Sequence, residues 1–91
     1  MSAPSLSRRP RPEGGLPVDE EELSRFRAWL VGRGYADRTA TEWIRRVRWA
    51  FAHGCAHPDD VDAVFWNLSQ PRRSGFRQAL GAFVESRRAG R

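Results

Sequence analysis

The sequence predicts an all-α protein: a small four-helix bundle preceded by a disordered arm. Apolar residues recur three and four positions apart over several segments, which is the spacing of one buried helical face. Gly and Pro divide these segments at intervals of helical length, and no segment alternates apolar and polar residues as a strand does. With 91 residues, of which 40% are hydrophobic and 11% aromatic, the chain suffices for one domain with a modest core.

Residues 1–17 are predicted to be a disordered basic arm, because they contain mainly Ser, Pro, Arg and Gly and have almost nothing to bury. The helical domain is predicted to follow, over residues 18–91. Arg8, Arg9 and Arg11 allow two interpretations of the arm. It is either a leader without function or a tail that lies along a phosphate backbone.

The first helix is predicted to begin after Val18, with Asp19 as its N-cap and with carboxylates in the first turn that oppose the helix dipole. Gly32 and Gly34 are expected to close it. Its inward stripe comprises Leu23, Phe26, Trp29 and Leu30.

The second helix is predicted from Arg38 to about His53, with Asp37 as N-cap and Gly54 as its end. Its buried face comprises Ala40, Trp43, Ile44, Val47, Ala50 and Phe51. The opposite face carries Arg38, Glu42, Arg45, Arg46, Trp49 and His53. A helix that is apolar behind and arginine-rich in front suits a polyanion. The alternative is a solvated face with Trp49 packed under a neighbouring helix.

The third helix is predicted to begin at Pro58, with several aspartates near its amino end. Its buried side comprises Val61, Val64, Phe65 and Leu68. Because this helix carries acids and no arginine, it is a poor candidate for contact with nucleic acid.

The fourth helix is predicted over residues 71–88, opened by Pro71. Its inward face comprises Phe76, Ala79, Leu80, Phe83 and Val84. Arg73, Arg77 and Arg88 gather on one flank, with Ser74 and Gln78 nearby. If the two basic helices, the second and the fourth, lie side by side, their positive faces could merge into one patch.

The formal net charge is +5, and all sixteen basic residues are arginine. This composition is compatible with a GC-rich genome, but arginine also binds phosphate in a bidentate way that lysine cannot. The single cysteine, Cys55, excludes an internal disulfide and fits a reducing, cytoplasmic compartment. No apolar run approaches the ~20 residues of a membrane span, so no membrane association is expected.

Nothing in the sequence predicts an enzyme, a cofactor or a metal site. Two histidines and one cysteine do not make a zinc site at this spacing, and Asp59, Asp60 and Asp62 are explained by the helix dipole. No Gly-rich phosphate loop and no activated nucleophile is recognisable.

Three segments together resemble the amino-terminal core-binding, SAM-like domain of tyrosine recombinases, the phage integrase family. Segment 34–39, GYADRT, followed by Trp43, Val47 and Phe51, is similar to the family pattern G-[LY]-S-x-x-T-x-x-x-Y-x-x-x-L-x-x-F. Segment 26–30, FRAWL, resembles F-x-x-[WY]-L, and segment 77–83, RQALGAF, resembles R-x-A-L-x-x-F. The resemblance covers about residues 18–88; Ala36 and Trp43 depart from the usual Ser and Tyr.

The resemblance implies a four-helix bundle that forms half of a C-shaped clamp around duplex DNA, with the second and fourth helices at the major groove. The implied DNA contacts are Arg38, Thr39, Thr41, Arg45, Arg46, Ser74, Arg77 and Gln78, with Arg48 and Arg73 at phosphates. Trp49 is left open between a protein contact and packing beneath an arginine. The implied partners are double-stranded DNA and a recombinase catalytic domain or other protomers.

The catalytic residues of that family are missing from this chain. There is no lysine, neither histidine is followed by arginine three positions on, and the only tyrosine, Tyr35, lies in a predicted turn. The chain is therefore predicted to bind DNA without cutting it. The alternative prediction is a small helical protein-interaction adaptor of SAM-like fold.

Overall fold

This computed structural model describes residues 15–90, which contain four α-helices and one 3-10 turn joined by short non-helical segments. The helices are α1 (Glu20–Gly32), α2 (Asp37–Ala52), α3 (Val61–Val64) and α4 (Gln70–Ala89), and the 3-10 turn (Pro58–Asp60) precedes α3. No strand occurs within this range. The prediction of an all-α bundle is confirmed at this level.

The predicted arm, residues 1–17, lies mostly outside the described residues, as does Arg91. Leu16, near the end of the predicted arm, contacts α2, because its amide donates to the Phe51 carbonyl at 2.8 Å. Val18, the first residue of the predicted helical domain, packs against the core.

α1 begins and ends as the sequence predicts. The Asp19 side chain accepts a hydrogen bond from the Glu21 amide at 3.0 Å, which confirms it as the N-cap. Gly34 has a φ of 98°, a left-handed conformation that glycine adopts without a steric penalty, in the turn that follows the helix. Three of the four predicted inward residues are fully buried, and Trp29 packs at the edge of the core.

The predicted N-cap of α2 is wrong. Asp37 is the first helical residue, and Ala36, whose methyl group cannot accept a hydrogen bond, occupies the cap position. The Asp37 carboxylate instead accepts a hydrogen bond from Arg27 Nη1 of α1 at 2.9 Å. An ion pair between helices has replaced a local cap.

The core forms where α1, α2 and α4 meet. All six residues predicted for the inner face of α2 are buried, and no polar or charged residue in the described range is buried. Phe83 of α4 lies at the centre, with its ring edge-on to Phe26 at 5.2 Å and to Phe51 at 5.8 Å between centroids. Such aromatic pairs each contribute about 0.5–1.5 kcal/mol beyond their buried area.

The third helix is shorter than its predicted buried side, Val61 to Leu68, implied. Only the 3-10 turn and the four residues of α3 are helical, and the backbone leaves the helical region at Phe65, with φ −110° and ψ 38°. Phe65 thereby turns its ring into the core, whereas Trp66 is 74% exposed. Val61 and Phe65 are buried as predicted, but Val64 and Leu68 are only partly buried.

α4 packs against α2, so the two basic helices lie side by side, which is the condition for a merged positive patch. Its inward face is confirmed for Phe76, Ala79, Leu80 and Phe83, while Val84 is half-buried. None of the helices within residues 15–90 has the length and apolar character needed to cross a membrane.

Candidate nucleic-acid interface

α2 and α4 leave an open groove of about 420 Å³ between them. We call it the α2–α4 groove. Its lining comprises Glu42, Arg45, Arg46, Trp49, Pro71, Arg72, Gly75 and Phe76. Three arginines against one glutamate leave an excess of two positive charges around an apolar floor.

Stacked aromatic rings form the floor of the α2–α4 groove. Trp49 lies 5.0 Å from Phe76 and 5.3 Å from Phe65 between ring centroids, with planes within 25° of parallel. The imidazole of His53 lies 3.9 Å from the Trp49 indole. Trp49 is therefore packed onto a neighbouring helix, the arrangement that the alternative interpretation gave, and 38% of it remains exposed.

Arginines from α2 form one wall of the groove. Arg46 Nη2 lies 3.8 Å from a Glu42 oxygen, and its guanidinium passes over Gly75, where an added Cβ would lie 3.5 Å from Arg46 Cζ. Arg45 Nη1 lies 3.7 Å from the same carboxylate, and its side chain is 73% exposed. Both ion pairs are long and solvated, so the guanidinium groups keep donors for an anion.

Arg72 forms the opposite wall of the groove and is not among the DNA contacts predicted from the sequence. It lies in the first turn of α4, three and four residues before Gly75 and Phe76, which also line the groove. That spacing places the three residues on one helical face and was the available signal. No ion pair involves Arg72 within residues 15–90.

Two predicted DNA contacts lie instead on the α1 side of α2. The Arg48 guanidinium forms a two-pronged ion pair with Glu20, one prong running from Nε to Oε2 at 3.3 Å. The Thr41 hydroxyl accepts a hydrogen bond from Arg27 Nη2 at 2.6 Å. These groups link α1 to α2 and do not line the α2–α4 groove.

Two other predicted contacts, Arg73 and Arg77, turn toward α3. Arg77 Nη1 donates to Asp62 Oδ1 at 2.7 Å, and Arg73 Nη1 lies 3.7 Å from the same oxygen. The acidic α3 therefore offsets the positive charge on one flank of α4. Ser74 and Gln78 are exposed on α4 between that flank and the groove side.

The remaining predicted residues lie at the amino end of α2. Arg38 is exposed and has no ion pair within the described part of the chain, whereas Thr39 is half-buried. Of the predicted set, the α2–α4 groove therefore unites Arg45, Arg46 and Trp49. The positive surface is narrower than the sequence analysis expected.

Cys55 lies outside this surface and is fully buried. Burial raises the pKa of its thiol to about 11, and the thiol donates a weak hydrogen bond to the His57 carbonyl at 3.5 Å. The thiol is therefore held neutral, the opposite of what an activated nucleophile needs. Among residues 15–90, no group of three or more His, Cys, Asp or Glu side chains is arranged to hold a metal ion.

Comparison of the chain with protein-family models, with curated proteins and with solved structures found no match. The resemblance to recombinase core-binding domains therefore rests on the sequence motifs quoted above.

Proposed function

We propose that this chain is a DNA-binding module that holds duplex DNA against the α2–α4 groove and has no catalytic activity of its own. The observation that carries the proposal is the convergence of Arg45, Arg46 and Arg72 around the exposed part of Trp49. Guanidinium groups match the geometry of phosphate oxygens and stay charged at any physiological pH. The aromatic floor gives the arginine stems an apolar surface to lie on.

The expected binding is weak and strongly dependent on salt. Each phosphate neutralised by an arginine releases condensed counterions, and log K falls with log salt by about 0.9 for each contact. Three groove arginines therefore predict a slope of about −3. Contacts to phosphates position the protein, while Ser74 and Gln78, exposed on α4, are candidates for base edges.

We further propose that the module belongs to a protein of the tyrosine recombinase or integrase type, acting in DNA recombination or integration. The motif resemblance over residues 18–88 supports this part. The module would then work beside a catalytic domain, which would supply the chemistry that these 91 residues lack. SAM-like bundles serve several functions, so the groove carries the DNA-binding proposal and the motifs carry the family proposal.

The test is fluorescence anisotropy with a labelled duplex of about 20 base pairs, titrated at several salt concentrations. We expect Arg45→Gln with Arg46→Gln to weaken binding at least tenfold and to make the salt slope shallower by about 2. The matched control is Arg25→Gln with Arg88→Gln, which removes the same charge from exposed sites outside the groove. Equal losses in both pairs, or none in a folded groove variant, would overturn the proposal.

A second candidate function is a protein-interaction adaptor. The observation that favours it is the exposure of Trp66, which follows α3 and is not part of the core. This residue is 74% exposed. An exposed tryptophan of this kind is typical of a protein contact. In that case binding to a protein partner would resist salt and would be lost in Trp66→Ala, while the wild type would not shift a duplex even at low salt.

A further inference from the structure

We propose that Asp62 limits how far the DNA-binding surface extends across α4, because it holds Arg73 and Arg77 in ion pairs that phosphates would otherwise take. This inference rests on the proposed function. It makes Asp62 a residue that sets affinity and footprint without touching DNA.

Two arginines share one oxygen of one carboxylate at this place. Arg77 Nη1 lies 2.7 Å from Asp62 Oδ1, and Arg73 Nη1 lies 3.7 Å from it. Arg73 Nη2 also donates to Gln70 Oε1 at 2.7 Å. Both arginine side chains are about one-third exposed or less, whereas the Asp62 side chain is 65% exposed. Asp62 is therefore the most solvent-exposed of the three charged side chains.

The pairing is incomplete for Arg73. Its Nε–H is buried and has no acceptor among the described residues. A buried donor without a partner is unfavourable, so the present position of this guanidinium depends on the pull of Asp62 and Gln70. Without the carboxylate, a position in which Nε–H reaches water or a phosphate becomes favourable.

The other ion pairs that link helices differ from this one. Glu20 pairs with Arg48 alone, Glu22 pairs with Arg87 alone, and Asp37 pairs with Arg27 alone. Removal of any one of these carboxylates would release one arginine. Removal of the Asp62 charge releases two at once, on the α4 flank next to the exposed Ser74. The released pair would widen the positive surface across α4 from the groove side.

A phosphodiester and a carboxylate compete for the same guanidinium donors. Each phosphate contact adds about 0.9 to the salt slope of binding, and in the wild type the Asp62 carboxylate already engages the donors of Arg73 and Arg77. Neutralising Asp62 therefore allows up to two additional phosphate contacts. The expected effect is larger than that of removing one negative charge elsewhere on the surface.

The experiment compares Asp62→Asn with Asp60→Asn in the full chain, using a labelled duplex of about 20 base pairs and a salt series. Asp60 is exposed, lies two residues earlier and forms no ion pair within residues 15–90, so it is matched in charge and location. We expect Asp62→Asn to bind about threefold to tenfold more tightly than the wild type, with a slope steeper by 1 to 2. Asp60→Asn should change affinity less than about twofold.

A second comparison first removes the two arginines in the wild-type background, which does not depend on the folding of Asp62→Asn. Arg73→Gln with Arg77→Gln should leave wild-type affinity within about twofold, because both arginines are already engaged. In the Asp62→Asn background, the same two arginine substitutions should remove the whole gain in DNA affinity. A large loss of affinity on removing the two arginines from the wild type, or equal gains in the two aspartate variants, would overturn the proposed role of Asp62 but not the proposed DNA binding. A wild type that fails to bind DNA at low salt would instead overturn the proposed function.

Discussion

Arg87 on α4 donates two hydrogen bonds to the carboxylate of Glu22 on α1, from Nε at 2.6 Å and from Nη2 at 3.0 Å. The guanidinium also lies over the Phe83 ring, 4.6 Å from its centroid. The hydrogen bonds from Arg87 lower the pKa of the Glu22 carboxyl, against an opposing effect of burial. This pair joins the first and last helices of the bundle.

Acid should weaken the bundle through this pair. Because the pKa of Glu22 is lower in the folded state, its contribution is fully present above the unfolded pKa, near pH 4, and is lost as pH falls through the folded value. Glu22→Gln should cost about 1 kcal/mol at neutral pH and should flatten the acid side of the stability curve. Urea unfolding from neutral pH to about pH 3 measures both effects. Glu21→Gln, whose nearest arginine contact is 4.0 Å away, should change neither appreciably.

Trp49 should stabilise the fold even though it lines the proposed DNA surface. Its indole stacks on Phe65 and Phe76, so Trp49→Ala should lower the free energy of unfolding by about 2 kcal/mol. Trp66→Ala, at the most exposed tryptophan, should cost less than about 0.5 kcal/mol. Chemical denaturation followed by circular dichroism gives both values. Equal costs for the two variants would contradict the packing described here.

Ala36 offers a site where the fold can be strengthened. It has the extended backbone of an N-cap, with φ −67° and ψ 152°, but no side-chain acceptor. Ala36→Ser should therefore raise the free energy of unfolding by about 1 kcal/mol by satisfying a free amide of α2. Ala28→Ser, at an exposed position within α1, should instead be neutral or slightly destabilising. Thermal unfolding of the two variants tests the assignment of the cap.

Cys55 should be unreactive until the chain opens. Burial raises the pKa of its thiol to about 11, so the nucleophilic thiolate is scarce at neutral pH. An aromatic disulfide reagent should label the native protein far more slowly than the urea-unfolded protein. Because the unfolded thiol ionises near pH 8.5, stability should fall as pH rises from there toward 11. Cys55→Ser would remove this alkaline dependence, and rapid labelling of the native state would contradict the burial.

The parts of the fold that could be predicted were those set by local pattern. The inner faces of α1, α2 and α4 follow from apolar spacing, because a long amphipathic helix has one way to bury its stripe. The predicted end of α2 at Gly54 holds, with a φ of 87° in the turn that follows. The prediction for the third helix failed because Phe65 packs into the ring stack with Trp49 and Phe76. This contact between distant elements overrides the local sequence pattern.

The candidate site was less predictable for the same reason. Whether an arginine is available to DNA depends on which carboxylates reach it in space. Glu20 reaches Arg48 over 28 residues of chain, and Asp62 reaches Arg77 over 15 residues. Helical periodicity assigns each arginine to a face of its helix but carries no information about such partners. Arg72 was not predicted because a residue in the first turn of a helix lies at the edge of the periodic pattern from which a helical face is recognised.

The brevity of α3 has a consequence for how the bundle opens. A helix of four residues preceded by a 3-10 turn protects few amides, and the connection through Phe65 and Leu68 is held by single turn bonds. Hydrogen exchange between Ala56 and Ser69 should therefore be faster than within α1, α2 and α4. Exchange there would proceed by local fluctuation, while α2 and α4 would exchange only when the whole molecule unfolds.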